Sequence, residues 1–276
     1  MGANTKALKA RIRSVDSTMH ITKAMELVAS SKMKRARSRM EGSRFYRTVL
    51  AEAFADLAAS DSIYAKARPD LPVLYIVIAG DRGLAGGYNT NIFKTVMQSV
   101  TERDIVLPVG RRAADYFARR GFVPFDGKTY SADTITSSEC VRLACEIKDR
   151  YDRGEFGAVY AVSTEFVSML SQKAGIQKLL PLEKKGGEET VSSVATLYEP
   201  DAETVLAAII SEYIAGTLYG AAAESFASEL AARRSAMDTA TKNASEMIDT
   251  LSLRYNRARQ SAITQEITEI VAGAQM

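Results

Sequence analysis

The residues best placed for chemistry are four glycines, Gly80, Gly83, Gly86 and Gly87, in the stretch AGDRGLAGGYN at 79–89. They follow a β-branched run and precede an amphipathic one, the position at which phosphate-binding loops occur. The spacing is not G-x-G-x-x-G, and Gly87 is followed by Tyr88 rather than by Lys and Ser/Thr, so neither a dinucleotide loop nor a Walker loop is spelled out. A tight turn, with Asn89 or Thr90 capping the next helix, is the simpler expectation. His20 is the only histidine and has no cysteine nearby, which leaves almost no material for a metal site or a His-based triad. Glu266 and Glu269 lie three apart on what reads as an exposed helix, where a solvated face accounts for them. Nothing here assembles an enzyme, and no cofactor or metal is expected.

Charge offers a different kind of site. The net charge is +3, but residues 1–47 carry twelve Lys/Arg against only Asp16, Glu26 and Glu41, so the remainder is mildly acidic. The run ITKAMELVASSKMKRARSRM (21–40) holds Lys23, Lys32, Lys34, Arg35, Arg37 and Arg39 against Glu26 alone. Nucleic-acid binding would pair such a run with aromatics or a reading helix, and residues 21–40 contain no aromatic. A membrane-surface helix would need a broad apolar face with Trp or Phe, and the chain has no Trp. A coiled-coil exterior that meets acidic protein loops fits best, ahead of simple solvation, with nucleic acid third.

The elements that carry this run are helical. Residues 4 to about 60 contain no proline and one glycine, Gly42. Leu8, Ile12, Val15, Met19, Thr22, Glu26, Ala29, Met33, Ala36 and Met40 alternate in steps of four and three, the seam spacing of a coiled coil. Thr22 and Glu26 are weak seam residues. Phe45, Val49, Ala53 and Leu57 are expected to continue the stripe, and a helix over 4–58 would be roughly 80 Å long. At the other end, Asp201 is a candidate N-cap for a helix from 202 to about 272, on the order of 100 Å. Its expected seam is Met237, Ala240, Ala244, Met247, Leu251, Tyr255, Ala258 and Ala262. Helices of that length must project from a domain of this size.

Residues 70–195 have another texture. VLYIVIAG (73–80), IVLPVG (105–110), GAVYAVSTEFVSML (157–170) and QKLLPL (177–182) read as strands. NTNIFKTVMQSV (89–100), RRAADYFARRG (111–121) and SSECVRLACEIKDRYDRG (137–154) read as helices between them, and EKKGGEE (183–189) as a charged loop. The alternation predicts a small α/β domain with a mainly parallel sheet. Cys140 and Cys145, five apart on a helix, would have Cα atoms ~8 Å apart and are expected to be reduced, as in a cytoplasmic-type compartment. The longest apolar run, LPVLYIVIA (71–79), is short for a membrane span and no signal-peptide core precedes it, so membrane association is expected only through a partner.

LKARIRSVDSTMHITKAMELVASSKMKRA near the N-terminus, DRGLAGGYN in the middle and LRYNRARQSAITQEITEIVAGA near the C-terminus resemble the γ subunit of bacterial-type F-type ATP synthase, in the right order over essentially the whole chain. The resemblance implies a long antiparallel two-helix coiled coil from residues 1–65 and 199–276 around a Rossmann-like α/β foot domain, 66–198. It implies a rotor: a shaft inside a ring of three α and three β subunits, with the foot domain beside ε on the membrane ring of c subunits, on the cytoplasmic face of a bacterial membrane. ATP chemistry would belong to the β subunits. The family's β contacts carry over to Lys23, Met25 and Glu26, and to Arg233, Gln260, Thr264, Glu266 and Glu269. The basic residues Lys32, Lys34, Arg35, Arg37 and Arg39 would face acidic β loops.

Because the C-terminal helix is longer by ~15 residues, roughly 20 Å, an overhang is expected from near Arg259. Its Ile263, Ile267, Ile270 and Val271 would sit in the family's apolar bearing. The loop begins with Gly80-Asp81 and has Ala85, where the family often has a serine and a cysteine, a departure without functional consequence; the cysteine insertion of chloroplast relatives is absent, which argues against thiol regulation. The rival readings are a coiled-coil nucleic-acid-associated protein and a nucleotide-binding enzyme; the latter fails on its phosphate loop.

Overall fold

A computed structural model describes residues 2–57, 62–122, 124–182 and 198–273. The charged loop 183–189 lies outside the described residues. In chain order the elements are α1 Gly2–Leu57, β1 Val73–Ile78, α2 Tyr88–Val96, β2 Ile105–Val109, α3 Arg111–Ala118, α4 Ser137–Asp152, β3 Ala158–Phe166, β4 Gln172–Leu180 and α5 Ala202–Gly273. They form two compact units, residues 1–30 with 233–276, and residues 31–232.

The first unit pairs the start of α1 with the end of α5, antiparallel. Val15 and Ala29 are buried, and Leu8, Ile12, Met19, Thr22 and Glu26 are half-buried, so the expected α1 seam is the observed one. On α5 the seam is Met237, Thr241, Ala244, Ile248, Leu251, Tyr255, Ala258 and Ala262. Met247, expected in the seam, is 45% exposed. Ala240 and Met247 are apolar but sit one position off the heptad frame, and a knob enters the facing hole only in frame.

The second unit holds a four-stranded sheet of order β2-β1-β3-β4. β2, β1 and β3 are parallel, and β4 closes an antiparallel hairpin with β3. Successive residues of β1 point to opposite faces, yet Leu74, Ile76 and Ile78 are as buried as Tyr75 and Val77, so both faces are covered. α2 and α3 supply Tyr88, Ile92, Val96, Ala113 and Phe117 to a core with Tyr75, Val77, Val106 and Val162. α4 starts at a capping box, Thr136 with Glu139, and buries Cys140, Leu143, Ala144, Ile147 and Tyr151. Asp201 caps α5 as expected, accepting from the Thr204 amide at 2.9 Å.

Three local expectations shift. β4 begins at Gln172 rather than 177, because its first half, QKAGIQ, is an edge strand with a polar, half-exposed pattern that carries no core signal. Phe45 is 77% exposed and Val49 46%; the helix-packing line runs instead through Met40, Ser43 and Phe54, which are buried. Phe45 follows Met40 by five residues rather than three or four, and that jump moved the expected stripe off the packing line; the side chains of Ala53 and Leu57 lie outside those described. Finally, part of α5 has the mean hydropathy of a membrane span, 1.4, with over half of that window buried inside the chain. Residues 220–231 are buried all round, which is the property of a core helix.

Gly110 joins β2 to α3 at φ +103, and a Cβ there would lie 2.0 Å from the Ala79 carbonyl oxygen. Gly110→Ala is expected to cost about 3 kcal/mol or more, read as a lower midpoint in denaturant unfolding. Burial pushes the Cys140 thiol up to about 12, while Cys145 is exposed. At neutral pH a thiol reagent should label Cys145 in the native chain and Cys140 only after denaturation. The neutral Cys140 thiol stabilises the fold fully below its ordinary value of 9.0, and that contribution is lost as pH rises towards 12.

Candidate partner-contact surfaces

On the outer face of α1 the basic run divides by what each side chain already touches. Arg39 is committed inside the second unit. Its Nη1 donates to the carbonyls of Ala132 at 3.2 Å and Asp133 at 3.0 Å, its Nη2 to that of Ile135 at 2.6 Å, and its Nε to the Tyr219 hydroxyl at 3.2 Å. The guanidinium also stacks on the Tyr219 ring, 4.6 Å from its centroid. One side chain thus ties α1, α5 and the segment that leads into α4, a task that needs the fork geometry of Arg rather than Lys. Lys32 pairs with Asp133 at 2.9 Å and Arg37 with Glu41 at 2.8 Å, both exposed. Lys34 and Arg35 are exposed and form no ion pair among the described residues.

In the first unit Lys23 binds Glu26 at 2.9 Å, and Met25 and Arg233 are half-buried. Gln260, Thr264, Glu266 and Glu269 are exposed; Glu269 accepts from Gln265 Nε2 at 3.0 Å, and the Thr264 carbonyl accepts from Thr268 at 2.8 Å. The structure does not bring these four to Met25. The antiparallel pairing sets Met25 near Asp238, and Gln260 lies roughly 30 Å further along α5. From residue 263 to 273 every side chain is exposed, and Ile263, Ile267, Ile270 and Val271 show between 48 and 71% of their surface. The last half-covered seam residue is Ala262. The bare tip therefore starts at 263 rather than near Arg259, a few residues later than helix lengths alone suggested, because seam burial continues through Ala258 and Ala262.

The glycine loop is a clamp. Asn89, expected as a helix cap, instead accepts from the Gly80 amide at 2.9 Å and donates to the Arg82 carbonyl at 3.3 Å; Gly87 takes the N-cap position without a side-chain bond. Asp81 accepts from the Arg111 amide at 2.9 Å and from Ser131 Oγ. A Cβ on Gly80 would lie 2.8 Å from the Glu229 carboxylate, so the missing side chain lets the loop close on α5.

Sequence reasoning missed the residues that fasten the sheet to α5. Ser225 Oγ shares a 2.7 Å hydrogen bond with the Tyr88 hydroxyl and accepts from the Thr164 amide at 3.3 Å. Ser228 Oγ donates to the Thr164 carbonyl at 3.2 Å, and Glu224 meets Arg44 at 3.2 Å. A signal was available: small residues fill α5 on every side in GAAAESFASELAA (220–232), so its few polar groups needed buried partners.

An antiparallel helix pair with a bare apolar tip in one unit, and a mostly parallel sheet fastened to α5 in the other, define a coiled-coil subunit built to meet other chains. The chain belongs to the ATP synthase γ-chain family. The family model described as ATP synthase matches residues 4–276. The ATP synthase gamma chain of Ruminococcus albus is 44% identical over 97% of this chain and 96% of that one. The sodium ion specific ATP synthase gamma chain of Acetobacterium woodii is 39% identical over 100% and 99%. Among solved structures, a chain of the Euglena gracilis mitochondrial ATP synthase rotor matches with TM-score 0.70, 17% identity and coverage of 95% and 100%. A chain of the Tetrahymena thermophila mitochondrial ATP synthase central stalk and c-ring matches with TM-score 0.58, 23% identity and coverage of 80% and 99%.

Because Arg39 acts as an internal fastener, Arg39→Met should lower stability by about 2–3 kcal/mol, seen as a fall of roughly 5–10 °C in Tm by calorimetry. Arg35→Met at an unpaired surface position should shift Tm little.

Proposed function

We propose that this chain is the central-stalk rotor of a bacterial F-type ATP synthase, turning within an α3β3 ring and coupling ion flow through a c-ring to ATP synthesis or hydrolysis. Membership of the γ-chain family supports this reading, and the bare tip at 263–273 is the observation in the structure that carries it. An exposed helix end with Ile263, Ile267, Ile270 and Val271 is an aggregation hazard unless a partner sheathes it. In the proposal those residues turn in an apolar bearing of the ring.

The division of labour follows. Residues 1–65 and 199–276 make the shaft, and 66–198 the foot that meets ε and the c-ring. ADP, ATP and magnesium are bound by partner subunits, and this chain is non-catalytic. It is peripheral, held at the cytoplasmic face of the cell membrane through the membrane sector. The β contacts are Lys23, Met25, Glu26, Lys32, Lys34, Arg35 and Arg37 on α1, and Arg233, Gln260, Thr264, Glu266 and Glu269 on α5. Such contacts must break and re-form at each step, which suits screened surface charges of modest strength. Coupling then arises as differential contact: the same ring site binds nucleotide differently according to which face of the shaft it meets. Nucleic-acid binding loses ground, since Lys32, Arg37 and Arg39 of the basic run are engaged within the chain.

Lys34→Glu with Arg35→Glu is expected to impair ion-driven ATP synthesis by the reconstituted complex while Tm of the chain is kept; normal synthesis would refute the contact. Deleting residues 263–276 should lower the yield of α3β3γ complex without altering unfolding of the foot domain.

A further inference from the structure

One layer of the seam in the first unit pairs two hydroxyls across the helices. Thr22 Oγ1 and Thr241 Oγ1 lie 2.8 Å apart, half-buried, amid a seam otherwise made largely of alanine and aliphatic residues. Each hydroxyl can also donate to its own helix, Thr22 to the Met19 carbonyl at 3.0 Å and Thr241 to that of Met237 at 2.8 Å. One proton can go to a carbonyl while the other crosses the seam, a bond that exists only where the two hydroxyls face each other.

Four charges flank the layer. On α1, Lys23 binds Glu26 at 2.9 Å; on α5, Lys242 binds Asp238 at 2.7 Å. The two pairs also feel each other. The Lys242 ammonium is held above its ordinary value by Asp238 and additionally by Glu26, and the Asp238 carboxyl is lowered by Lys242 and additionally by Lys23. Lys23 thus sits towards Asp238, and Glu26 towards Lys242.

A heptad seam repeats every seven residues, so sliding by one repeat again sets seam residues against seam residues. A slide one way would set Glu26 towards Asp249, a like charge, and Thr22 against Ile248. A slide the other way would set Lys23 towards Ala231, Glu26 towards Ser235 and Thr22 against Arg234. Each alternative breaks the hydroxyl bond across the seam and moves Lys23 and Glu26 away from the charges of Asp238 and Lys242. We propose that Thr22, Thr241 and the quartet Lys23, Glu26, Asp238 and Lys242 form a register lock that fixes how far the tip of α5 reaches beyond the start of α1. One repeat of slippage would move that tip by about 10 Å. The consequence for rotation rests on the bearing described above, whereas the lock itself does not.

The test uses cysteine pairs in the full chain, with Cys140→Ala and Cys145→Ser as background. Thr22 facing Thr241 places Leu8 opposite Tyr255, with Ile248 and Ala262 one repeat away. In the locked chain, Leu8→Cys with Tyr255→Cys should cross-link under mild oxidation, and Leu8→Cys with Ile248→Cys or Ala262→Cys should not. Exchanging the α1 charges, Lys23→Glu with Glu26→Lys, on top of Thr22→Val and Thr241→Val should raise slipped cross-links roughly ten-fold. Exchanging Asp238→Lys and Lys242→Asp as well should restore the first pattern. Thr22→Val with Thr241→Val alone keeps side-chain volume and serves where the exchanged chain does not fold; it should still raise slipped product measurably.

Unchanged in-register cross-linking in these variants would overturn the lock. Because the cross-links are read in the chain without partners, that outcome is separate from failure of the rotor reading, which shows in complex yield and ATP synthesis.

Discussion

Everything in this molecule depends on the ends of the chain finding each other. α1 and α5 are helices by local periodicity, but helix formation alone would leave Val15, Ala29, Met237 and Ala244 in water. Their burial against the opposite helix supplies the free energy that isolated amphipathic helices lack. The heptad repeat allows several alignments of such a seam, and the hydroxyl pair Thr22 and Thr241 chooses among them.

The second unit solves a different problem, the attachment of a sheet to a helix. Between 220 and 231 even the polar face of α5, Glu224, Ser225, Ser228 and Glu229, is buried, so its groups need partners inside the protein. Ser225 and Ser228 find theirs at Thr164, at the end of β3 that approaches the hairpin turn. Arg39 and Arg44 make the corresponding ties from α1. Buried hydrogen bonds of this kind add modest net stability each, but removing one partner strands the other, which makes the attachment specific. The glycine loop belongs to the same fastening. Its resemblance to a phosphate loop comes from the shared need for backbone close to a helix, here with Glu229 on the facing helix.

These two solutions leave a sharp contrast in surface chemistry. Many polar groups between the sheet and α5 are taken up by internal bonds, whereas the tip of α5 keeps four large aliphatic side chains exposed and Lys34 and Arg35 form no ion pair among the described residues. A subunit that must grip and release neighbours benefits from such a distribution, with strong ties inside and weak, repeatable contacts outside. Family membership and the bare tip therefore point in the same direction, towards a stalk whose work is done by its outer faces.

Local signals were enough for much of this. The 3–4 periodicity marked both helices, Asp201 and the capping box at Thr136 marked starts, and β-branched runs marked the buried strands, because each depends on neighbours a few residues away. The long motifs at both ends carried the family. The tertiary structure decided the rest. It chose Ile248 over Met247 because the facing helix sets the frame, and it turned Asn89 from a cap into a loop clamp. It took Arg39 out of the basic face because carbonyls more than ninety residues away converge on it. It also placed the edge strand β4 by pairing with β3 rather than by its own polar sequence. Each of these choices depends on groups distant in the chain, and a pattern of side-chain types along one segment cannot specify a partner that only folding brings within reach.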